Sequence, residues 1–329
     1  MSELNQRIQK IEHLGESLDG ILLMNNDMQF NPNFIYFTDS GDIDGFVYYD
    51  FDKAKIFTNS RDYSVAKKSW MKSAAIAKKG TLERLIKGKK IGVDFSTLYA
   101  DTYMQLSKAK TKLVDITRHL ENARITKTTY EINCIKKACR IAGIVFRKVE
   151  NSWKGLSEIE FKGLIEYEMH RSGVEPSFPT IVATGKNIAV PHHRPTQQKI
   201  RLPLLIDFGV RYKNYISDVT RTIGSNWETT IKKILDELYP KVKPGMLAME
   251  LDLFVRNALG KNEKLFITSL GHGIGIAVHE RPWISKRSSD TLKAGMTFTI
   301  EPGIYVPGGI RIENDFLLGE GGLERLTKF

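Results

Sequence analysis

The segment Leu204-Leu-Ile-Asp-Phe-Gly-Val210, followed by Arg211 to Asn214 and then by Tyr215-Ile-Ser-Asp-Val-Thr-Arg-Thr222, reads as two apolar strands joined by a short turn. A register that pairs Val210 with Tyr215 sets Asp207 opposite Asp218. Directly opposed residues of an antiparallel pair have Cβ atoms about 4.5–5.5 Å apart. Two carboxylates so close among Leu, Ile, Val and Phe repel and are costly to desolvate unless a cation, a proton or partner arginines compensate. The competing reading is an exposed hairpin with two solvated acids. The same construction recurs where Thr297-Phe-Thr-Ile-Glu-Pro-Gly-Ile-Tyr305 and Gly309-Ile-Arg-Ile-Glu-Asn-Asp-Phe-Leu317 flank a turn at Val306 to Gly308. Centred on residue 307, that hairpin sets Glu301 opposite Glu313, with Pro302-Gly303 disturbing the first strand.

Between the two hairpins, Ser269-Leu-Gly-His-Gly-Ile-Gly275 supplies an imidazole, His272, in a glycine-rich stretch that allows close backbone approach. One histidine with four carboxylates is a hard, oxygen-rich donor set. It suits two divalent ions such as manganese or cobalt better than a thiolate zinc site would. Ions about 3.5–4 Å apart would hold a bridging hydroxide as nucleophile and polarise a scissile carbonyl, the hydrolytic two-metal scheme.

The rest of the chain gives these hairpins a setting. Its 329 residues, 41% hydrophobic and 26% charged, are enough for two cored domains, which excludes a disulfide-stapled miniprotein and a disordered tail. Forty-nine Lys and Arg against 38 Asp and Glu leave +11, a sign that attracts phosphates, nucleic acid or anionic lipid without specifying a function. The only cysteines, Cys134 and Cys139, fall about 140° apart on a predicted helix and read as small core residues of an intracellular protein. The opening MSELNQRIQKIEHLGE lacks a signal-peptide core, and no window approaches ~20 uninterrupted apolar residues, so a cytoplasmic protein with no membrane partner is expected.

Leu4, Ile8, Ile11 and Leu14 repeat at helical spacing ahead of a strand at Ile21 to Met24; Phe46 to Tyr49, Lys55 to Thr58 and Ile91 to Phe95 read as further strands of an α/β domain. From Lys67 to Lys90, nine residues are Lys or Arg and only Glu83 is acidic. A solvated pair of helices is the first reading and a nucleic-acid patch the second. The domain boundary is placed near residue 123, giving domains 1–122 and 123–329. Thr128-x-x-Glu131 and Ser157-x-x-Glu160 are capping boxes opening two helices, and Trp227 to Leu238 and Met249 to Leu259 supply two more in an α+β second half.

Asp-Phe-Gly at 207–209, Ser-Asp-Val-Thr-Arg-Thr at 217–222, Gly-His-Gly-Ile-Gly at 271–275, Val-His-Glu at 278–280, Thr-Ile-Glu-Pro-Gly-Ile-Tyr at 299–305 and Arg-Ile-Glu-Asn-Asp at 311–315 occur in one order. In that order they resemble the pita-bread metallopeptidases, and among them the prolidase (Xaa-Pro dipeptidase) and aminopeptidase P branch. The resemblance spans essentially the whole chain. It implies an α/β creatinase-like N-terminal domain and an α+β pita-bread catalytic domain. It further implies that Asp207 binds one metal, that Asp218 and Glu313 bridge both, and that His272 and Glu301 complete the other. Manganese or cobalt is the expected pair, with zinc or iron next.

By the same resemblance, His192 of Pro191-His-His-Arg-Pro195 lines the substrate site. His279 contacts the peptide and stabilises the tetrahedral intermediate, and Glu301 shuttles a proton to the leaving proline nitrogen. Arg311, two residues before Glu313 on one strand face, is placed to orient the carboxylates. A dipeptidase needs a cation for the free carboxylate, for which Arg281 and Arg194 are the candidates. The implied activity is metal-dependent hydrolysis of an Xaa-Pro dipeptide or short peptide by a homodimer, most simply a prolidase, with aminopeptidase P as the alternative. A methionine aminopeptidase fits poorly with the long N-terminal domain. The rival of another class is a metal-poor homologue that binds nucleic acid or a protein through the basic stretch; retention of all the ligands argues against it, and nucleic acid is not the expected partner. Thr268 stands where members often carry a histidine, and Asn314 where an acid commonly follows the last ligand.

Overall fold

The structure, a computed structural model, describes residues 1–26 and 30–329. The chain divides into two compact units, Met1–Arg124 and Ile125–Phe329. In the first, β1 (Gly20–Asn25), β2 (Gly45–Tyr49), β3 (Ala54–Thr58), β4 (Ala74–Ile76), β5 (Lys90–Val93) and β6 (Lys112–Asp115) form one sheet in the order β4-β3-β2-β1-β5-β6. Helices α1 (Glu3–Gln9), α2 (Pro32–Thr38), α3 (Tyr63–Lys68), α4 (Thr81–Ile86), α5 (Ala100–Ser107) and α6 (Thr117–Ile125) intervene. Leu22, Phe46, Tyr48, Ile91 and Val93 of the sheet bury against Ile86 and Leu106. The periodicity of Leu4 to Leu14 does not continue as one α-helix: α1 ends at Gln9 and a 3₁₀ turn over Glu12–Glu16 buries Leu14.

The basic stretch from Lys67 to Lys90 is not a pair of helices side by side. Two short helices, α3 and α4, flank edge strand β4, which pairs parallel with β3 through Ala74, Ala75 and Ile76. These apolar residues, too few for a helix turn with a buried face, complete the sheet instead, and Lys67, Lys68, Lys72, Lys78 and Lys79 are left exposed around it.

The second unit opens with α7 (Thr129–Val149) and α8 (Glu158–Arg171), each begun by the capping box its sequence announces, Thr128 with Glu131 and Ser157 with Glu160. Strands β7 (Glu175–Pro176), β8 (Ile181–Thr184), β9 (Leu204–Phe208), β10 (Val210–Tyr212), β11 (Tyr215–Ile216) and β12 (Val219–Ile223) follow. Two three-stranded sheets result, β12-β9-β8 and β11-β10-β7. Helices α9 (Glu228–Leu238) and α10 (Ala248–Leu259) then lead to β13 (Gly271–Gly273), β14 (Glu280–Ile284), β15 (Thr297–Ile300), β16 (Gly303–Ile304), β17 (Ile310–Arg311), β18 (Asn314–Gly319) and β19 (Gly322–Arg325). Each half has its own core. Phe161, Ile165 and Met169 of α8 pack with Phe208, Val210 and Val219, whereas Leu251 and Val255 of α10 pack with Phe298, Ile300 and Phe316. Fully burying one such side chain contributes roughly 1.5–3 kcal/mol, so the two hairpins are rigidly backed. Among the described residues no helix is long and apolar enough to cross a membrane.

The register of the first hairpin differs from the expectation. Tyr212 pairs with Tyr215, and Thr220, not Asp218, lies opposite Asp207. The turn contains two residues, Lys213 and Asn214, both at positive φ (48° and 67°), instead of the four from Arg211 to Asn214. Such a two-residue turn matches the right-handed twist of the strands it joins. Asp218 becomes the diagonal neighbour of Asp207, still on its face because side chains alternate with period two. The second hairpin keeps its expected register: Phe298 faces Phe316, Ile300 faces Asn314, and Gly303 faces Arg311. Its turn closes with Gly309 N–H donating to Val306 O (2.8 Å), with Pro307 and then Gly308 at φ 77°, the residues a type II turn requires.

Candidate metal centre

The two hairpins meet. Glu313 N–H donates to Thr220 O (3.1 Å), and Thr222 Oγ1 donates to Arg311 O (2.8 Å), which ties β12 to the last strands. Residues two apart then stack on one face: Asp218 and Thr220 from one side, Arg311, Glu313 and Asp315 from the other. Ligand atoms of Asp218, His272 and Glu313, all buried, lie within 4.8 Å of one another. His272 Nε2 is 3.3 Å from Glu301 Oε1 and 3.8 Å from Asp218 Oδ2. Its Nδ1 lies 3.2 Å from the Gly273 carbonyl; a proton donated there would leave the Nε2 lone pair for a metal ion, whereas a protonated Nε2 donates to Glu301.

Asp207 joins the group through Arg311, whose Nη2 donates to Asp207 Oδ2 at 2.5 Å. The other Asp207 oxygen, Oδ1, is buried with no hydrogen-bond partner. An orphaned buried carboxylate oxygen beside other carboxylates is what an oxygen-seeking divalent cation would satisfy, so the residues present fit such an ion.

The titration of the group shows the same need. Burial, then the charges of Glu313 and Asp207, drives Asp218 well above the ordinary carboxyl range. Burial, then Glu301 and Asp207, does the same to Glu313, and burial raises Asp207 against the pull of Arg311. Glu301 differs: burial pushes it up, but the hydrogen bond and charge of His272 outweigh this and hold it low. His272 is raised in turn, the Glu301 carboxylate overriding its burial. His279 stacks edge-on against His272, ring centroids 4.3 Å apart. Partial burial, then the charge on His272, lowers His279 to about 4, and His192 is near enough to add to that depression.

Arg311 is the hub of the centre. Besides Asp207, its guanidinium donates to Thr220 Oγ1 (2.9 Å), Pro191 O (3.3 Å) and Tyr305 OH (3.3 Å). Thr220 Oγ1 donates to Glu313 Oε2 (2.7 Å), and Thr268 Oγ1 donates to Tyr305 OH (3.3 Å). Thr268 thus reaches Asp207 through Tyr305 and Arg311. Arg281 is placed otherwise: it is buried and ion-paired with Asp290, so its guanidinium is already engaged. Arg194 and His192 are exposed on the loop after Val190.

Three residues were missed from the sequence. Thr220 links Arg311 to Glu313. Asp315 accepts from Asp218 N–H (2.9 Å) and from Cys139 Sγ (3.3 Å), and burial pushes it up to about 7. Period-two alternation from Asp218 and Glu313 could have found both. Glu158, which holds the loop of His192, carried no signal beyond its place inside a capping box. Asn314, at the position of the missing acid, bonds Arg221 Nη2 (3.0 Å) instead of entering the carboxylate group.

Residues 133–320 match the family model for metallopeptidase family M24, and residues 6–126 match that for the creatinase/prolidase N-terminal domain. The Xaa-Pro dipeptidase of Pyrococcus horikoshii is 33% identical, with 100% of this chain and 98% of the relative covered. Among solved structures, an Xaa-Pro dipeptidase from Bacillus anthracis superposes with TM-score 0.89 at 30% identity, covering 99% and 98% of the two chains. An X-Pro aminopeptidase from Thermotoga maritima superposes with TM-score 0.88 at 29% identity, covering 98% of each.

Proposed function

The chain belongs to metallopeptidase family M24, with a creatinase/prolidase N-terminal domain, and from that premise we propose that it is an Xaa-Pro dipeptidase working with two divalent metal ions. The observation that carries the reading is the buried cluster of Asp218, His272 and Glu313, with Glu301 3.3 Å from His272 and with Asp207, one oxygen of which lacks a hydrogen-bond partner, joined to it through Arg311. These five residues would hold the ions. When bound, such a pair supplies the Lewis acidity that polarises a scissile carbonyl and activates water.

The protein's own groups do the rest. Neutral near pH 7 because its pKa lies at about 4, His279 donates a ring N–H to the oxygen on which negative charge develops, without adding a buried cation. Glu301, ionised and hydrogen-bonded by Thr299 Oγ1 (3.3 Å), carries a proton to the departing proline nitrogen. Arg311 holds Asp207 and the carbonyl of Pro191 in one geometry, and His192 lines the substrate site. Proline after the cleaved bond has no backbone N–H, so a pocket of this kind selects by shape and by the substrate's charged ends.

Since Arg281 is engaged by Asp290, the cation for the free carboxylate of a dipeptide falls to Arg194. Arg194→Ala should raise KM for a dipeptide about tenfold, the size of one charged contact of about 1.4 kcal/mol, with kcat nearly unchanged. An unchanged KM would remove Arg194 from the site. Manganese or cobalt is the favoured metal, the homodimer the favoured assembly, and the cytoplasm, where the buried thiols of Cys134 and Cys139 stay reduced, the favoured location.

The likeness to the T. maritima X-Pro aminopeptidase favours a second reading, cleavage of longer peptides. One experiment separates the two: chelator-stripped enzyme, restored with manganese or cobalt, is given a Met-Pro dipeptide and a Met-Pro-led tripeptide. Metal-dependent cleavage of the dipeptide alone is expected. Tripeptide cleavage means aminopeptidase P, and cleavage of neither, with metal bound, sinks both readings.

A further inference from the structure

Glu158 is the first residue of α8, fully buried and remote in sequence from every residue of the metal centre. Its carboxylate gathers an unusual number of donors. Oε1 accepts from Thr184 N–H and Asn187 Nδ2, both at 2.9 Å. Oε2 accepts from Thr196 N–H (3.0 Å) and Thr196 Oγ1 (2.8 Å), and His193 Nε2 lies 2.9 Å away. Burial opposes its ionisation, but the bonds from Asn187, His193 and Thr196 outweigh burial and hold the carboxyl below its ordinary value. An ionised carboxylate can only accept, so His193 Nε2 is the donor.

All these donors belong to residues 184–196, the segment that carries His192. Two backbone bonds run the other way, from α8 to the loop, Ile159 N–H to Thr196 O (3.0 Å) and Glu158 N–H to Gln198 O (3.0 Å). Inside the segment, just before His192, the Pro191 carbonyl is held by Arg311, whose guanidinium also grips Asp207. His192 lies between these two anchors with its side chain exposed and contributing to the field on His279.

We propose that Glu158 is the positioning residue of the histidine loop: through His193 and Thr196 it fixes residues 191–196, so that His192 is presented to the substrate. The proposal rests on the reading of the centre as a peptidase site in which His192 meets substrate. Glu158 itself touches neither substrate nor metal and acts through the loop backbone.

In Glu158→Gln, the amide nitrogen must face a backbone N–H, that of Thr184 or that of Thr196, whichever way it is turned, so the anchor is weakened with little change in volume. On a Met-Pro dipeptide, kcat/KM is expected to fall by about 10²-fold, the effect of misplacing one contact group by about 1 Å. Metal content per chain should be unchanged, and amide hydrogen exchange at 191–196 should be faster. His193→Ala removes a single donor and should move the same quantities less, which keeps the test alive should the first variant fold poorly.

In a His192→Ala background, Glu158→Gln and His193→Ala should each cost clearly less than they do in the wild type, because the larger part of their effect passes through His192 and only the remainder through Arg194 of the same loop. A full additional loss in that background, or a lower Tm with wild-type kinetics and wild-type exchange at the loop, overturns the proposal. Exchange is read without catalysis: a wild type that cleaves no Xaa-Pro peptide defeats the peptidase reading, whereas unchanged exchange in both variants defeats the anchor.

Discussion

Asp218→Asn is expected to lower kcat/KM on a Met-Pro dipeptide by about 10³-fold or more and to strip metal from the centre, while making the metal-free protein more stable than the metal-free wild type. The loss follows from the position of Asp218 within reach of both His272 and Glu313. Removing one member of a buried charged set costs about 3–5 kcal/mol, and each 1.4 kcal/mol is tenfold in rate. The gain in the metal-free state has the opposite origin. Folding buries Asp218 among Glu313, Asp207, Asp315 and Glu301 and drives its pKa well above the unfolded value. A carboxyl so raised favours the fold only below its unfolded pKa, and that contribution is lost as pH climbs through the folded value. Asparagine never ionises and escapes the loss, and the hydrogen bond from residue 218 to Asp315 survives because its donor is the backbone N–H. Metal content, peptide turnover and melting of the stripped proteins at about pH 8 test the three parts. Retained metal with retained turnover would mean that Asp218 is not a ligand.

The two hairpins were legible because alternation and turn chemistry are local. Pro307-Gly308 can be read directly as a type II turn, which sets the pairing of Phe298 with Phe316 and brings Glu301 and Glu313 into line. Lys213-Asn214 hides a positive-φ pair in residues that also tolerate ordinary turns, so the first register is misjudged by one residue on each strand. Even so, a shift of this kind, taken on both strands together, keeps Asp218 on the face of Asp207, and the chemistry survives the error. Arg281 fails for a different reason: its partner Asp290 lies nine residues away across an irregular segment, and nothing in the spacing predicts their pairing. Glu158 meets Thr184 and Thr196 at still longer range, through loops whose path only the fold determines. The basic stretch shows the limit of composition, since nine cationic residues leave open whether an edge strand runs between them.

Restoring manganese to the stripped protein is expected to raise its melting temperature by roughly 8–16 °C near pH 7, and by more at higher pH. At a free metal concentration about 1,000 times Kd, binding to the native state alone contributes about 4 kcal/mol, and each kcal/mol moves a domain of roughly this size by about 2–4 °C. The pH dependence comes from the ligands. Asp218, Glu313 and Asp207 are raised by burial and mutual repulsion, and burial takes their neighbour Asp315 to about 7. Each binds more protons folded than unfolded, so the stripped protein loses stability as pH rises through these values, a loss that continues through about pH 7 for Asp315. His272, raised by Glu301, works in the same direction. His279 and Glu301 are lowered and work the opposite way, but only in acid: the histidine between its unfolded pKa and about 4, the glutamate lower still. Near and above pH 7, where Asp315 still titrates, the raised groups therefore decide the slope. A bound cation replaces their protons and cancels the penalty, while protons compete with it progressively as pH falls. Thermal melts of stripped and restored protein across that range should diverge with pH. A metal-induced shift that stays constant from about pH 7 to about pH 9, or a stripped protein that grows more stable over the same interval, would show that these carboxylates do not share one buried, metal-binding field.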